Sequence, residues 1–547
     1  MERGRSPSFY SSSVLGPEDN TRRKHSSADL SGSVFLISGD GRMLSLPIPS
    51  ASPRDPLSWS KRKRLAILGV MMFFAVIALF ALVVPVLMYR SLSNEYTEEM
   101  HPFNPESLNS FATVFMGVGA LLWTPLSMAL GRRPVVVAST TAFTMCMVWA
   151  AAARGFHSLL AATSVAGFAA GVNISTTLLV IIDLTFIHER PQAIAAWFSV
   201  GGAISLAASS LVPLMVNETT TWRFLYEIWI IPSATASLFT FLFVPETYFL
   251  RPPVAFDGRI LIQSGAERVR IYEDFPRLLK CTELPKLPET SKFKSWLSSL
   301  ALFGSAGGEW KSAMACYPQM LLCLANPLIF WVVLMNAANF AGMMSIGLTY
   351  PVLLSKAPYN LPSAAVSLVN LGAAAGSLLA WPASGIIIDR ITKRLATLNG
   401  GVRHAEYLLP GFFLPVLSGA ASVFIYAIVA EKHYHFLWVY LSYFLNAFSF
   451  ASMSAASTLW VTEAFPYWAA AALAAVGGLS YMTSFPVSAA LPLWMAAQGY
   501  FWVNIEIGIA LVLLGFVSVP IAFWGKSVRQ YIHGRWGVYE TGALRPQ

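Results

Sequence analysis

The sequence predicts an all-α membrane protein of twelve transmembrane helices in two pseudo-symmetric six-helix bundles. Three observations carry that expectation. The 547 residues are 55% hydrophobic and only 12% charged, about half the charged share of an average soluble chain. Roughly a dozen apolar runs are long enough to cross a bilayer, because a helix rising about 1.5 Å per residue needs about 20 residues for the hydrocarbon core. One fixed offset carries Arg132–Arg133 onto Lys393–Arg394 and Leu65 onto Asn326. An offset shared by a charged loop and the spans around it marks an internal repeat, and membrane halves repeated in this way are a transporter architecture.

The formal net charge of +9 points to no nucleic-acid partner, since Lys and Arg collect in cytoplasmic loops of membrane proteins. Cys146 falls in a span and Cys281, Cys316 and Cys323 fall in or near a central loop, so no extracellular disulfide framework is expected. Gly117 and Gly119 follow no strand and form no nucleotide loop; no Walker sequence is present, and no histidine pair is spaced for a metal on a span. No cofactor, metal or catalytic machinery is expected, and the chain does not read as an enzyme.

In chain order, residues 1–64 are rich in Ser, Pro and Arg and read as a disordered cytoplasmic tail. The first apolar run begins at Leu65, too late and too long for a cleavable signal. A first bundle over 65–244 holds spans at 65–88, 110–129, 135–153, 159–182, 193–216 and 224–244. A charged, Pro-containing cytoplasmic loop over 245–325 separates it from a second bundle over 326–524. Its spans fall at 328–353, 363–388, 409–429, 437–461, 469–495 and 501–524, and a cytoplasmic tail covers 525–547. Of 37 lysines and arginines, only Arg90, Arg154, Arg223, Lys356 and Lys432 fall in the other set of turns. By the positive-inside rule both termini are cytoplasmic. Asn217-Glu218-Thr219 then lies outside, as a candidate N-glycosylation sequon, while Asn173-Ile174-Ser175 is buried in a span and silent.

The chain resembles the major facilitator superfamily, in its fungal drug:H⁺ antiporter-like branch of twelve spans. The pieces that carry the resemblance are DPLSW before span 1, WTPLSMALGRRP after span 2, DLTFIHER after span 4, WRFLYEIWI into span 6 and VPETYFLR after it. SGIIIDRITKRL and NGGVRHAE follow in the second half. Departures are visible too. In the loop after span 2, Thr124, Met128 and Ala129 stand where that superfamily usually has Gly, Asp and Arg, although Gly131, Arg132 and Arg133 remain. Near Ile174, where relatives often carry a glutamate, the neighbouring polar residue is the neutral Asn173. These departures fall at positions that the resemblance ties to proton coupling and to cationic substrates.

Ionisable groups at membrane depth are functional candidates by default. Asp183 closes span 4 within reach of Arg132 or Arg133, and Glu463 closes span 10 within reach of Arg390 or Arg394, with Asp389 beside Arg390. These pairs are expected to gate the inner side; the plain alternative is interfacial ion pairs worth little. Glu227 and Glu506, about a turn inside the outer boundary, are proton sites if they face the cavity and otherwise snorkel to the headgroups. For the substrate, mid-depth neutral polar residues are available: Asn173, Asn336, Asn339, Asn370 and Asn446. The resemblance implies that spans 1, 4, 7 and 10 line the cavity, which favours Asn173, Asn336, Asn339 and Asn446; interhelical hydrogen bonding is the alternative. Trp331, Phe340, Tyr440 and Phe444 would suit a bulky, partly apolar solute.

The expected function is secondary active transport by alternating access. The resemblance implies export of a small amphiphilic compound, a drug or a fungal secondary metabolite, against protons, by a monomer in the plasma membrane or a vacuolar or vesicular one. Import of a nutrient or polyamine, and a transport-inactive sensor, remain as alternatives.

Overall fold

A computed structural model of the chain describes residues 33–35, 45–50, 52, 54–88, 92, 95, 96, 103, 106–212, 222–249 and 310–536. The sequon at Asn217 lies outside the described residues. Within them, 10 stretches are long and apolar enough to cross a bilayer. The last, Pro466–Ile532, runs 67 residues and turns at Gly499, whose φ of 81° is strained for any residue with a Cβ. It therefore holds two spans, and the 28-residue helix Leu437–Ala464 completes twelve.

The first half comprises span 1 (Lys61–Leu87), span 2 (Glu106–Leu130), span 3 (Arg132–Ala151), span 4 (Phe156–Leu184), span 5 (Arg190–Ser209) and span 6 (Trp222–Phe243). The second comprises span 7 (Pro327–Ser355), span 8 (Ser363–Leu398), span 9 (Ala405–Lys432), span 10 (Leu437–Ala464), span 11 (466–498) and span 12 (500–532). Span 2 packs on 4, 3 on 6, 1 on 5 and 1 on 6; each contact recurs in the second half as 8 on 10, 9 on 12, 7 on 11 and 7 on 12. The halves meet along two matching seams, span 2 against span 11 and span 5 against span 8. Small residues allow the close approach. A Cβ at Gly119 would strike the Phe168 carbonyl in span 4, and one at Gly376 would strike the Phe444 carbonyl in span 10. The same solution holds both bundles.

Two segments read from sequence as a disordered tail and a loop carry regular structure. In the N-terminal tail, Ser33–Phe35 pairs antiparallel with Val402–His404 of the second half. Farther along, the Leu46 carbonyl accepts a hydrogen bond from Ile187 N (2.8 Å) in the first half. Asp55 then accepts from Leu57 N (3.0 Å) and Ser50 N (2.7 Å), nucleating the 3₁₀ turn Pro56–Ser58, and Ser60 caps span 1. The tail thus touches both halves at the face where span 1 begins, called the basic face below.

The second segment lies at the end of the central loop. Trp310–Ala325 is a helix laid against spans 2, 7 and 11. Ser312, Cys316, Gln319, Met320 and Cys323 face the bundle, while Trp310, Met314, Tyr317 and Leu321 are exposed. Three-to-four spacing on both faces gives a helix with one apolar side for protein and another for the surroundings. The charged stretch before it masked this pattern in the sequence. Burial pushes both thiols up, Cys316 to about 12 against a weaker pull from Arg132. In a Cys281→Ser protein, N-ethylmaleimide is therefore expected to leave the folded chain unlabelled at pH 7 until denaturant is added. Fast labelling of Cys316 without denaturant would mean that this helix leaves its seat.

Candidate functional site

Between the halves lie three adjoining chambers of about 120, 140 and 40 Å³, which share Phe450 and Tyr481 as walls. Spans 1, 2, 4, 5, 7, 8, 10 and 11 all contribute side chains. The walls are apolar and aromatic: Leu79, Met116, Phe198, Phe340, Met343, Tyr443, Phe450 and Tyr481. No Asp, Glu, Lys, Arg or His stands among the described lining residues.

Span 4 is interrupted at this depth. Phe156–Ala170 gives way to a 3₁₀ turn at Gly171–Ile174, and the helix resumes at Thr176 after Ser175 at φ −138°, ψ −68°. Gly171 lets the turn sit against Met116 and Gly119 of span 2, and Gly477 of span 11 leaves room for the Ile174 carbonyl on the other side. Ser175 Oγ ties the break to the Ala120 carbonyl at 3.3 Å. Asn173, held on this turn, is 4% exposed and lines the middle chamber with neither amide atom hydrogen-bonded.

The other predicted asparagines divide. Asn446 lines the same chamber; its Nδ2 donates to Ser422 Oγ (3.2 Å) and its Oδ1 has no partner. Asn336 lines the innermost chamber and donates to Ser457 Oγ (2.7 Å) and the Val332 carbonyl (2.9 Å). Asn370 lines the outer chamber and accepts from Tyr350 Oη at 3.3 Å. Asn339 is a correction: it faces spans 9 and 10, accepts from Ser449 Oγ (2.9 Å) and abuts Gly419, away from the chambers. Three residues along a helix is about 60° of rotation, enough to put Asn336 in the wall and Asn339 behind it. Of the predicted aromatics only Phe340 lines a chamber. Trp331 donates to the Leu514 carbonyl (2.8 Å), Tyr440 to the Ala365 carbonyl, and Phe444 packs on Gly376.

Glu227 and Glu506 are exposed on the outside of their helices and absent from the cavity lining. Each stands one helical face away from the packed residues beside it, Tyr226 and Ile507, so neither is placed to exchange a proton with a solute between the halves.

Charge gathers at the basic face instead. Arg132 Nε meets Asp183 Oδ2 at 3.3 Å, with both side chains buried, and its Nη1 donates to Ser127 Oγ at 2.9 Å. Arg133 Nη2 donates to the Phe241 carbonyl at 2.9 Å. Glu246, part of the VPET run, binds the backbone N–H groups of Arg132 (2.9 Å) and Arg133 (3.2 Å). It places a carboxylate at the N-terminus of span 3, where the helix dipole favours it. Burial pushes the Glu246 carboxyl up, opposed by the backbone N–H donors of Tyr248, Arg132 and Arg133 and by the Arg132 charge. Its position after the last apolar residue of span 6 hid this role in the sequence.

In the second half the expected partners change. Glu463 pairs with Arg403 at 2.9 Å, while Arg390 and Arg394 are exposed. The strand Val402–His404 brings Arg403 under the end of span 10, whereas the helix Ile388–Leu398 turns Arg390 and Arg394 outward. Arg529 grips Glu406 with both terminal contacts under 3 Å. Burial and the Lys526 ammonium hold His404 down to about 4, so its ring is neutral at physiological pH. Asp389 takes Lys393 at 2.6 Å and, across the seam, Gln192 Nε2 of the first half at 3.3 Å. That hydrogen bond sits beside a π-helical turn, Pro382–Ile387, whose Gly385 packs on Gln192 and Ala195.

A hydrogen bond to a charged group contributes about 1.5–3 kcal/mol. Cutting this one with Gln192→Ala and Asp389→Asn is expected to ease separation of the halves at the basic face. In a cysteine-free background, alkylation of Leu473→Cys by an impermeant maleimide from that side should then rise about tenfold, the equivalent of 1.4 kcal/mol. An unchanged rate would exclude the pair from the closure.

The sequence model of the Major Facilitator Superfamily matches residues 65–485. The MFS-type transporter C1271.10c of Schizosaccharomyces pombe is 22% identical, over 91% of this chain and 90% of its own. The efflux pump radE of Floropilus chiversii is also 22% identical, over 88% of this chain and 83% of its own. The proton:xylose symporter XylE shares the fold at a TM-score of 0.55 and 13% identity, over 85% of this chain and 96% of that one. With the repeated bundles and the cavity between them, this match places the chain in the major facilitator superfamily, as a multi-pass membrane transporter of small molecules.

Proposed function

We propose that the protein exports a small amphiphilic organic compound, a drug or a secondary metabolite, across the plasma membrane by alternating access, with both termini in the cytoplasm. The observation that carries this reading is the cavity. It lies between two internally braced halves, it is walled by aromatic and apolar side chains, and its few polar groups are neutral. Such a site removes an amphiphile's apolar body from water and orients it through a small number of hydrogen bonds. The relatives support the direction, since radE is named an efflux pump.

The basic face is then the cytoplasmic gate. Arg132–Asp183 and Arg403–Glu463 brace each half, and Gln192–Asp389 joins them. Proton coupling would run through Asp183 and Asp389, because no acid among the described residues reaches the cavity. Breaking a buried pair from one side costs about 3–5 kcal/mol, so Asp183→Arg is expected to abolish transport, and Arg132→Asp added to it to restore a part.

Cells with the protein are expected to accumulate less of a labelled amphiphile than cells without it, and a protonophore should erase the difference. Greater accumulation would reverse the direction to uptake. Equal accumulation across a broad panel would overturn the transport reading.

A further inference from the structure

The interruption of span 4 is not accounted for by packing alone. A helix broken at membrane depth leaves backbone groups without their ladder, and such a break persists only where protein or a polar cavity covers it. Here glycines on spans 2 and 11 accommodate the break, and Ser175 ties it down. The residue it presents is Asn173, nine-tenths buried, aimed into the middle chamber and with its donors and acceptor both unfilled. A buried amide left without partners carries its full desolvation penalty, and no described side chain relieves it. Across the same chamber Asn446 Oδ1 is also without a donor.

We propose that the Asn173 amide is the substrate's polar anchor and selects uncharged solutes carrying a donor and an acceptor on the same edge, as in the cis amide of a small-ring lactam. Asn Oδ1 takes the solute N–H while Nδ2 donates to the solute carbonyl, the two-point pairing available to a carboxamide. Asn446 Oδ1 accepts any further donor the solute brings. Cations and anions are excluded on the same ground, because no counter-charge stands in the wall and an unpaired buried charge is far costlier than an unpaired amide. The inference rests on the transport reading and narrows its substrate.

The test is equilibrium binding to the purified full chain in lipid nanodiscs, which is blind to transport direction. The probes are a tritiated small-ring lactam carrying an apolar substituent, its N-methyl derivative and a quaternary ammonium of matched size. Wild type is expected to hold the lactam about tenfold more tightly than the N-methyl derivative, the worth of one buried hydrogen bond, and the ammonium not at all. Asn173→Leu, near in volume, should remove that preference while still binding the N-methyl derivative through the apolar wall. Retained N-methyl binding also certifies that the variant is folded, and Asn173→Gln, which keeps the amide, should recover part of the preference. A lactam preference unchanged in Asn173→Leu, tight binding of the ammonium, or no binding of any probe overturns the proposal. Accumulation assays on cells decide the transport reading separately: lactam binding without any change in accumulation would sink export and leave the anchor standing.

Discussion

In hydrocarbon every backbone N–H and C=O must find its partner within the protein, and the architecture follows from that requirement. It makes the spans helical, and it makes any departure from the helix conspicuous. Two departures occur where the halves meet. The 3₁₀ turn Gly171–Ile174 of span 4 lies against spans 2 and 11, and the π turn Pro382–Ile387 of span 8 lies against span 5. Irregular turns inside helices gather at functional places. One presents an amide to the cavity, and the other sets Asp389 beside Gln192 at the basic face.

Charge is partitioned with equal strictness. The cavity wall is neutral, while the basic face holds a belt of ion pairs, each of those among the described residues internal to one half. Pairs within a half stiffen it; they do not resist movement of one half past the other. Across the basic face, Gln192–Asp389 and the N-terminal segment make polar links, the latter by pairing Ser33–Phe35 with the second half and placing the Leu46 carbonyl against the first. A few neutral or singly charged hydrogen bonds of about 0.5–3 kcal/mol each can break and reform during a cycle. Buried Arg–carboxylate pairs crossing the same seam would hold it shut.

The fold was largely legible, because hydropathy and the repeat act at the scale of whole spans. Span number, the short loops and the Arg132–Asp183 contact follow from lengths and from loop adjacency. What sequence order could not supply was rotation about a helix axis. Asn336 and Asn339, three residues apart, fall on opposite sides of the cavity wall, and Glu227 and Glu506 turn outward. Arg403 displaced Arg390 and Arg394 as partner of Glu463 because a strand, invisible to periodicity over three residues, carries it there. The break in span 4 left no signal, since Gly171 and Ser175 are ordinary residues of membrane helices. The helix Trp310–Ala325 did leave one, in the three-to-four spacing of Cys316, Met320 and Cys323.

Selectivity is where these constraints converge. An apolar wall alone discriminates poorly between solutes of similar size, about 1–3 kcal/mol for each methylene. A buried polar group rejects more sharply, because a solute that fails to pair with it leaves it unsatisfied after water has been displaced. Asn336, Asn370 and Asn339 already have partners within the protein, and Asn446 has spent its donor on Ser422. Asn173 alone among them has spent neither, and it stands on backbone wedged between both halves. A solute bound to it touches the part of span 4 that abuts span 11, so occupancy and the relation between the halves are set at the same place.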